Sequence, residues 1–278
     1  MRDKLIFEIK DVDYSYPGGR QVLDKVSFNV SAGERVALLG ANASGKSTLL
    51  HLLNGLYFPD SGSVTAFGTV LTEETVETPP FSRRFRQQVG FLFQNPDAQL
   101  FSTTVEDELA FGPLQLRLNS ADVEQRVSDT LSLFRIRHLR HRSPQTLSGG
   151  EKKKVALASL IACGPSVILL DEPSAGLDPR SQQWLMEFLN ALGESGVTLI
   201  IAGHDLAFLA EVADRALILS EDHSLLCDVP IADALSDLDL LLAANLIHEH
   251  VHRHKDRIHE HPHLHYIWHD HDHLTGSR

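Results

Sequence analysis

The sequence predicts an α/β fold with a mostly parallel core sheet, an N-terminal antiparallel β subdomain and a helical subdomain. Short apolar runs are typical of strands buried on both faces of a parallel sheet. They occupy residues 36–39, 89–93, 167–170, 197–201 and 217–219, the last being the final clear strand. Residues 5–12 and 22–30 instead alternate apolar and polar side chains, which indicates an antiparallel pair. Residues 104–141 repeat apolar side chains at three- and four-residue spacing, which is typical of helices.

The composition indicates a soluble globular protein with a buried core, because 42% of the 278 residues are hydrophobic and 22% are charged. Cys163 and Cys227 are too far apart in the sequence to indicate a disulfide framework or a thiolate metal site. A net charge of −12 argues against a nucleic-acid partner, since lysine and arginine supply most of that affinity. No apolar run approaches the roughly 18 residues of a membrane span, and no signal peptide is evident. We expect that the chain does not cross a membrane by itself.

Residues 40–48, GANASGKST, have the pattern of a phosphate-binding loop between a strand and an apolar helix. Gly40 and Gly45 allow the backbone N–H groups to turn inward at the positive end of the helix. Lys46 adds a positive charge for the β- and γ-phosphates, and Ser47 offers a hard oxygen to Mg²⁺. The predicted nucleotide contacts are Gly40, Asn42, Gly45, Lys46, Ser47 and Thr48. A chance glycine turn is the alternative, which the context disfavours.

Two carboxylates follow the apolar run at residues 167–170. Asp171 and Glu172 cannot share one face of a strand, so their roles should differ. We assign Asp171 to the Mg²⁺ shell and Glu172 to the general base that polarises the attacking water. The alternative is that one carboxylate only caps the following turn.

Other polar features are ambiguous when each is taken alone. Either Tyr14 or Tyr16 would stack on a nucleotide base, or the rings would only pack on the strand pair. We prefer Tyr16 for stacking because it lies beside the turn. Gln94 would coordinate Mg²⁺, position water or hold its own loop. His204 would touch the γ-phosphate or do nothing catalytic. Residues 148–150 would bind phosphate at a helix N-terminus or cap the helix, and alone the cap is favoured.

Together, in this order and spacing, the motifs resemble those of the ATPase subunits of ATP-binding-cassette (ABC) transporters. The resemblance spans residues 5–246 and implies an ABC-type P-loop ATPase domain over residues 1–246, with its helical signature subdomain at about 96–160. It identifies the phosphate loop 40–48, Gln94 as the Q-loop, 147–151 as the signature, 168–172 as the second nucleotide motif, 174–178 as the D-loop and His204 as the switch histidine.

The resemblance implies a head-to-tail dimer, either of two identical copies or with a different ATPase. Each ATP would lie between the loop of one copy and Ser148, Gly149 and Gly150 of the other. Tyr16 would stack on adenine. Ser47, Gln94 and Asp171 would serve Mg²⁺, Glu172 would be the base, and His204 would sense the γ-phosphate. Integral membrane subunits would dock after Gln94, so the chain would lie on the cytoplasmic face of the cell membrane as a peripheral subunit.

Two positions depart from the family pattern. Ala43 stands where such loops often carry glycine, and a positive φ there would cost about 1 kcal/mol or more. We expect that Ala43 does not need a positive φ. Glu151 replaces the glutamine that often ends the signature and adds negative charge near the phosphates, and we expect activity to survive this change.

The cargo is indicated by two short segments and by the tail. Residues 14–19 and 93–101 resemble the energy-coupling-factor branch, whose ATPases drive uptake of vitamins or of cobalt and nickel. Residues 247–278 are a histidine-rich tail, expected to be flexible until metal binds. Its predicted ligands are His248, His250, His252, His254, His259, His261, His263, His265, His269, His271 and His273.

Neutral imidazole binds nickel, copper and zinc well and cobalt somewhat less strongly. The sequence therefore favours an ATPase for nickel or cobalt import that uses ATP and Mg²⁺, with Ni²⁺ or Co²⁺ also bound on the tail and nickel slightly preferred. An expression tag or a pH-responsive tail would explain the histidines instead. A vitamin importer, a metal-storage protein without useful ATPase activity and, less favoured, a soluble ABC protein acting on DNA or ribosomes are the other functions.

Overall fold

A computed structural model describes residues 4–254 and 257–263, with side chains for residues 4–247. The described strands are β1 (Leu5–Tyr16), β2 (Arg20–Ser31), β3 (Arg35–Gly40), β4 (Ser61–Ala66), β5 (Thr69–Val70), β6 (Val89–Leu92), β7 (Val167–Asp171), β8 (Thr198–Ala202), β9 (Arg215–Leu219), β10 (Leu225–Pro230), β11 (His248–His254) and β12 (Arg257–His263). The described helices are α1 (Lys46–Leu53), α2 (Glu73–Glu77), α3 (Phe81–Gln88), α4 (Val105–Gln115), α5 (Ser120–Leu133), α6 (Gly149–Ala162), α7 (Pro179–Glu194), α8 (Leu206–Val212), α9 (Ile231–Ser236) and α10 (Leu238–Ala243).

The central sheet has the order β10-β9-β3-β8-β7-β6 and is parallel except for the edge strand β10. Every residue of β7 and β8 is buried, which explains the apolar runs 167–170 and 199–202 within them. The predicted mostly parallel core is confirmed. The strand β10 was not predicted, because a half-exposed edge strand lacks the apolar run that marks its neighbours.

A second, antiparallel sheet has the order β2-β1-β4-β5 and confirms the predicted N-terminal β subdomain. Its first two strands run further than the sequence indicated, because shifts in register allow pairing to continue as far as Tyr16 opposite Arg20. Both residues therefore lie at the hairpin end of the sheet, within strands rather than in a loop.

The core lies on both faces of the central sheet. Val36 and Leu38 of β3 belong to one hydrophobic cluster with the antiparallel sheet and α1, whereas Ala37 and Leu39 belong to another with the helices α4 to α10. Successive side chains of a strand point to opposite faces, so one short apolar run serves two hydrophobic clusters. The central sheet therefore has the antiparallel sheet and α1 on one face and the helices α4 to α10 on the second face.

Local side-chain caps begin the helices of the helical subdomain. Thr104, Asn119 and Ser148 each accept a hydrogen bond from the backbone N–H three residues later, at the starts of α4, α5 and α6. Such a cap satisfies one of the N–H groups that lack an intrahelical partner. Among the helices of the described residues, none is long and apolar enough to span a membrane.

The described part of the tail is an antiparallel hairpin of β11 and β12. Its register places three pairs of histidines opposite each other: His248 with His263, His250 with His261, and His252 with His259.

Candidate functional site

The phosphate loop joins the end of β3 to the start of α1 and is tightly packed. A Cβ added to Gly40 would lie 2.5 Å from Ser44 Oγ, and one added to Gly45 would lie 2.6 Å from Val22 O. Both glycines also have a positive φ, 148° and 109°. Crowding and conformation therefore both require glycine at these two positions.

Ala43 of the loop has a φ of 64°, in the left-handed region. The expectation that this residue does not need a positive φ is therefore wrong. The loop turns back at this point, and the turn requires a left-handed residue whichever side chain is present. The Cβ of an L-residue crowds the backbone in that conformation, so Ala43 carries a strain of about 1 kcal/mol.

Lys46 begins α1 and is buried, with its Nζ donating hydrogen bonds to the carbonyl oxygens of Gly40 and Ala41, both at 2.8 Å. Burial lowers the pKa of its ammonium group, and the carboxylates of Glu172 and Asp171 oppose this shift. The Lys46 ammonium group is therefore shielded from water and is held by two neutral carbonyl oxygens of the loop. A phosphate is a better partner for that charge than two neutral carbonyls.

A cavity of about 280 Å³ lies beside the loop. Its lining residues are Tyr16, Arg20, Val22, Ala43, Gly45, Lys46, Ser47 and Thr48. The hydroxyl of Tyr16 shares a hydrogen bond of 2.9 Å with Thr48 Oγ1, and the ring is 38% exposed. Tyr14 is instead buried and stacked on Tyr57. The two tyrosines therefore differ, and Tyr16 is the one that lines the cavity.

Arg20 also lines this cavity and was missed by the sequence analysis. The available signal was its position just after the turn residues, opposite Tyr16. Asn42, which the sequence analysis included among the nucleotide contacts, is exposed and does not line the cavity.

Asp171 ends the buried strand β7 and lies next to the loop. Burial raises the pKa of its carboxyl group, and a hydrogen bond from Ser47 opposes this shift. Its Oδ1 is buried and has no hydrogen-bond partner among the described residues. A carboxylate oxygen and a serine hydroxyl at one place are the hard ligands that Mg²⁺ prefers, so these residues fit the predicted ion.

Glu172 and His204 contact each other across neighbouring strands. His204 Nδ1 lies 3.0 Å from Glu172 Oε1 and 2.9 Å from Oε2. Glu172 is buried and has a φ of 47°, and its N–H donates to Ala202 O. A left-handed glutamate is a strained residue, and such strain is common at active sites. The imidazole thus holds a carboxylate whose backbone is already constrained.

Gln94 lies in an exposed loop after β6, and its side chain has no hydrogen bond among the described residues. The structure does not join it to Asp171. The loop is tied to α6 instead, because Gln99 Nε2 donates to Ala156 O at 3.0 Å and Lys152 Nζ contacts Asp97 Oδ1 at 2.6 Å.

The signature motif begins α6 with a capping box. Glu151 Oε2 accepts hydrogen bonds from Ser148 N at 2.8 Å and Ser148 Oγ at 2.9 Å. The same hydrogen bonds lower the pKa of the Glu151 carboxyl group and keep it charged. The cap that was favoured from the sequence is present. Gly149 has open space around its Cα, where a partner can approach closely.

The predicted tail ligands lie beyond the described side chains. The backbone is described for His248, His250, His252, His254, His259, His261 and His263, whereas His265, His269, His271 and His273 lie outside the described residues. Among the side chains that the structure describes, no group of three or more histidine, cysteine, aspartate or glutamate residues is arranged to hold a metal ion.

Comparison with known proteins relates this geometry to one family. The sequence model of the ABC transporter family matches residues 23–175. A putative ABC transporter ATP-binding protein of Methanosarcina acetivorans is 50% identical over 249 residues, which cover 88% of this chain and 90% of the relative. The nickel import ATP-binding protein NikO of Rhodobacter capsulatus is 44% identical over 244 residues, which cover 87% and 95%.

A similar solved structure is that of cbiO1 from Clostridium perfringens, which is described as part of the ABC transporter complex cbiONQ. Its TM-score is 0.74 at 30% sequence identity, and the match covers 88% of this chain and 96% of that chain. The similarity therefore extends over nearly the whole of both chains.

Proposed function

The chain belongs to the ABC transporter family as an ATP-hydrolysing subunit, and we propose that it powers the uptake of nickel or cobalt ions through a membrane partner. The observation that carries this proposal is the 44% identity to a nickel import ATPase over 87% of the chain. The resemblance to the cobalt and nickel branch that the sequence indicated is confirmed. Of the two ions, nickel is preferred because imidazole-rich sites bind it more strongly than cobalt.

The geometry supports a separate role for each site residue in ATP hydrolysis. Lys46 and the loop N–H groups bind the β- and γ-phosphates, and Tyr16 and Arg20 line the side where the rest of the nucleotide lies. Ser47 and Asp171 would hold Mg²⁺, which supplies charge neutralisation of the phosphates. Glu172 takes a proton from the attacking water, and His204 orients the Glu172 carboxylate.

In this proposal, the membrane partner docks on exposed aromatic side chains that follow Gln94 in the sequence. Phe101 and Phe111 are 62% and 43% exposed, and their rings meet edge to face with centroids 4.8 Å apart. Leu114 is also exposed beside them on α4. Large apolar side chains clustered at the surface mark interaction sites. This docking would place the chain on the cytoplasmic face of the membrane as a peripheral subunit.

In this proposal, two ABC ATPases form a dimer to hydrolyse ATP. The dimer contains either two copies of this chain or this chain and a different ATPase. Ser148, Gly149 and Gly150 would then complete the site of the opposite copy. The positive end of the α6 helix dipole at Ser148 would favour a phosphate there, and the charge of Glu151 in the capping box would oppose it.

The tail binds Ni²⁺, Co²⁺ or a similar divalent ion in this proposal, and the register of β11 and β12 supports it. Directly opposed positions of an antiparallel pair have Cβ atoms about 5 Å apart. The three opposed histidine pairs are His248 with His263, His250 with His261, and His252 with His259. Each pair would contribute two imidazole ligands to one ion.

Metal uptake by cells tests the transport proposal. Nickel and cobalt would be measured by elemental mass spectrometry in cells that express the chain with its membrane subunits, as native protein and as Glu172→Gln. Glu187→Gln is the matched control, because Glu187 is exposed on α7, away from the site. We expect Glu172→Gln alone to abolish accumulation. Equal metal content in native protein and Glu172→Gln would contradict the proposal and favour a vitamin or another cargo.

Two double variants test the tail with the same number of histidines removed. His250→Ala/His261→Ala removes one opposed pair and leaves two, whereas His250→Ala/His259→Ala breaks two pairs and leaves one. In titrations of the full chain with Ni²⁺, we expect the second variant to lose more bound ions. Equal losses would contradict the paired arrangement but not metal binding. No Ni²⁺ binding by the native chain would contradict the role of the tail.

A further inference from the structure

Lys153 of the signature helix α6 contacts the segment that carries the catalytic glutamate. Its Nζ donates to the carbonyl oxygens of Glu172 at 3.1 Å and Pro173 at 2.9 Å, and also to that of Ala175. An ammonium group has three N–H donors, so this arrangement uses all of them on three carbonyls of one short turn. The sequence analysis assigned no role to Lys153.

The turn that Lys153 contacts begins with the strained backbone of Glu172. On its other side, the Glu172 N–H donates to Ala202 O of β8 at 2.9 Å, and Ala175 N–H closes the turn on Glu172 O at 3.2 Å. The Glu172 peptide is therefore held between β8 and α6. A left-handed non-glycine residue persists only where its surroundings hold it, and Lys153 supplies the contacts on the α6 side.

Close packing accompanies these hydrogen bonds. A cavity of only about 10 Å³ remains between α6 and the turn, and Gly150, Lys153, Pro173 and Leu177 are among its lining residues. Burial lowers the pKa of the Lys153 ammonium to about 8, and the charge of Glu172 opposes this shift. Burial of a charged ammonium group costs free energy, and here its hydrogen bonds to three backbone carbonyls offset that cost.

We propose that Lys153 is a positioning residue, which clamps the backbone of Glu172–Ala175 to the signature helix and so holds the Glu172 carboxylate in place for hydrolysis. This proposal rests on the proposed function, in which Glu172 is the base. Lys153 lies about one helical turn after Gly149 and Gly150. A shift of α6 when the signature binds nucleotide at the opposite site would therefore move the Glu172 turn directly.

Kinetics of matched variants of the full chain test this role. Lys153→Met removes the donors and the charge, and Lys153→Arg keeps both. Lys154→Met is the control, because the neighbouring Lys154 ammonium lies 4.6 Å from the centre of the Trp184 ring rather than on the turn. We expect Lys153→Met to lower kcat about tenfold to hundredfold with KM for ATP changed less than about threefold, since small displacements of catalytic groups have effects of this size.

Rescue separates positioning from general stability. Lys153→Arg is expected to restore at least part of kcat, and Lys154→Met is expected to match native protein. If Lys153→Met does not fold, Lys153→Gln, which keeps one donor group, is expected to show the same loss in kcat alone. Unchanged kcat, equal losses in both methionine variants, or a rise in KM that accounts for the loss would overturn the proposal. Absence of ATPase activity in the native chain would instead contradict the proposed function.

Discussion

The phosphate loop and the Glu172 turn both hold strained backbone at one edge of the central sheet, but they are held by different means. In the loop, the hydrogen-bond constraint acts between near neighbours, as where Lys46 Nζ donates to Gly40 O, although Val22 O of β2 also crowds Gly45. At the turn, it comes from Ala202 and Lys153, which are distant in sequence. The comparison shows that a local pattern specifies a binding surface, whereas the position of the base depends on packing between distant elements.

Gly45→Ala is expected to have the largest effect on the loop. The new Cβ would lie 2.6 Å from Val22 O, and the φ of 109° is unfavourable for alanine. The free energy of unfolding should fall by about 3 kcal/mol, from strain and overpacking together. Gly18→Ala is the control, because Gly18 has almost the same φ, 110°, but nothing within 4 Å of the new Cβ. Equal losses in urea unfolding would show that crowding does not constrain the loop.

The contribution of the Glu172 turn to the pH dependence of stability should be isolated by comparing native protein with Lys153→Met, because Lys46 of the loop is present in both. The Lys153 pKa is about 8 in the folded protein and 10.5 without the surrounding structure, so the unfolded chain binds more protons between these values. The stability contribution of this group is therefore fully present above pH 10.5 and is lost as pH falls through 8. Relative to Lys153→Met, native protein should gain about 2 kcal/mol in free energy of unfolding from pH 7 to 10. Parallel pH profiles in urea unfolding would contradict the buried ammonium.

Ala43→Gly should relieve strain in the loop. Glycine adopts the observed φ of 64° without a Cβ clash, so the free energy of unfolding is expected to rise by up to about 1 kcal/mol. Ala41→Gly serves as the comparison, since Ala41 does not have a positive φ and glycine there only adds freedom to the unfolded chain. Chemical unfolding that shows Ala43→Gly to be as destabilising as Ala41→Gly would mean that the loop is not strained at this residue.

Glu151→Gln should have the smallest effect on folding. Glutamine also completes a capping box with Ser148, so the melting temperature should change by less than about 2 °C. The loss of a negative charge at the signature should tighten ATP binding by the assembled dimer modestly, about twofold to fivefold. Titration with a fluorescent ATP analogue measures this change. Weaker binding by the variant would mean that the Glu151 charge does not oppose nucleotide.

Much of the fold was predictable because its signals are local. Continuous apolar runs marked β3, β7 and β8, since strands buried on both faces are mostly apolar. The edge strand β10 was not predicted, because half of its residues face solvent. Beyond β9, only a contact with that strand makes residues 225–230 a strand.

The sequence by itself determined which chemical groups the site contains. The spacing of Gly40, Gly45, Lys46 and Ser47 defines a phosphate-binding loop, because the loop and its helix are contiguous in the chain. Asp171 and Glu172 follow a buried strand, which brings them to the sheet edge that bears the loop. These inferences needed no knowledge of distant contacts.

Tertiary structure alone decided how these groups are held. The sequence analysis did not predict the left-handed φ of Ala43 or the contact of Lys153 with the Glu172 turn. The contact of Lys153 depends on which distant backbone lies opposite it, and this lysine differs from Lys152 and Lys154 only by what it faces. The physical reason is that hydrogen bonds and steric contacts act through space, over distances that sequence separation does not encode.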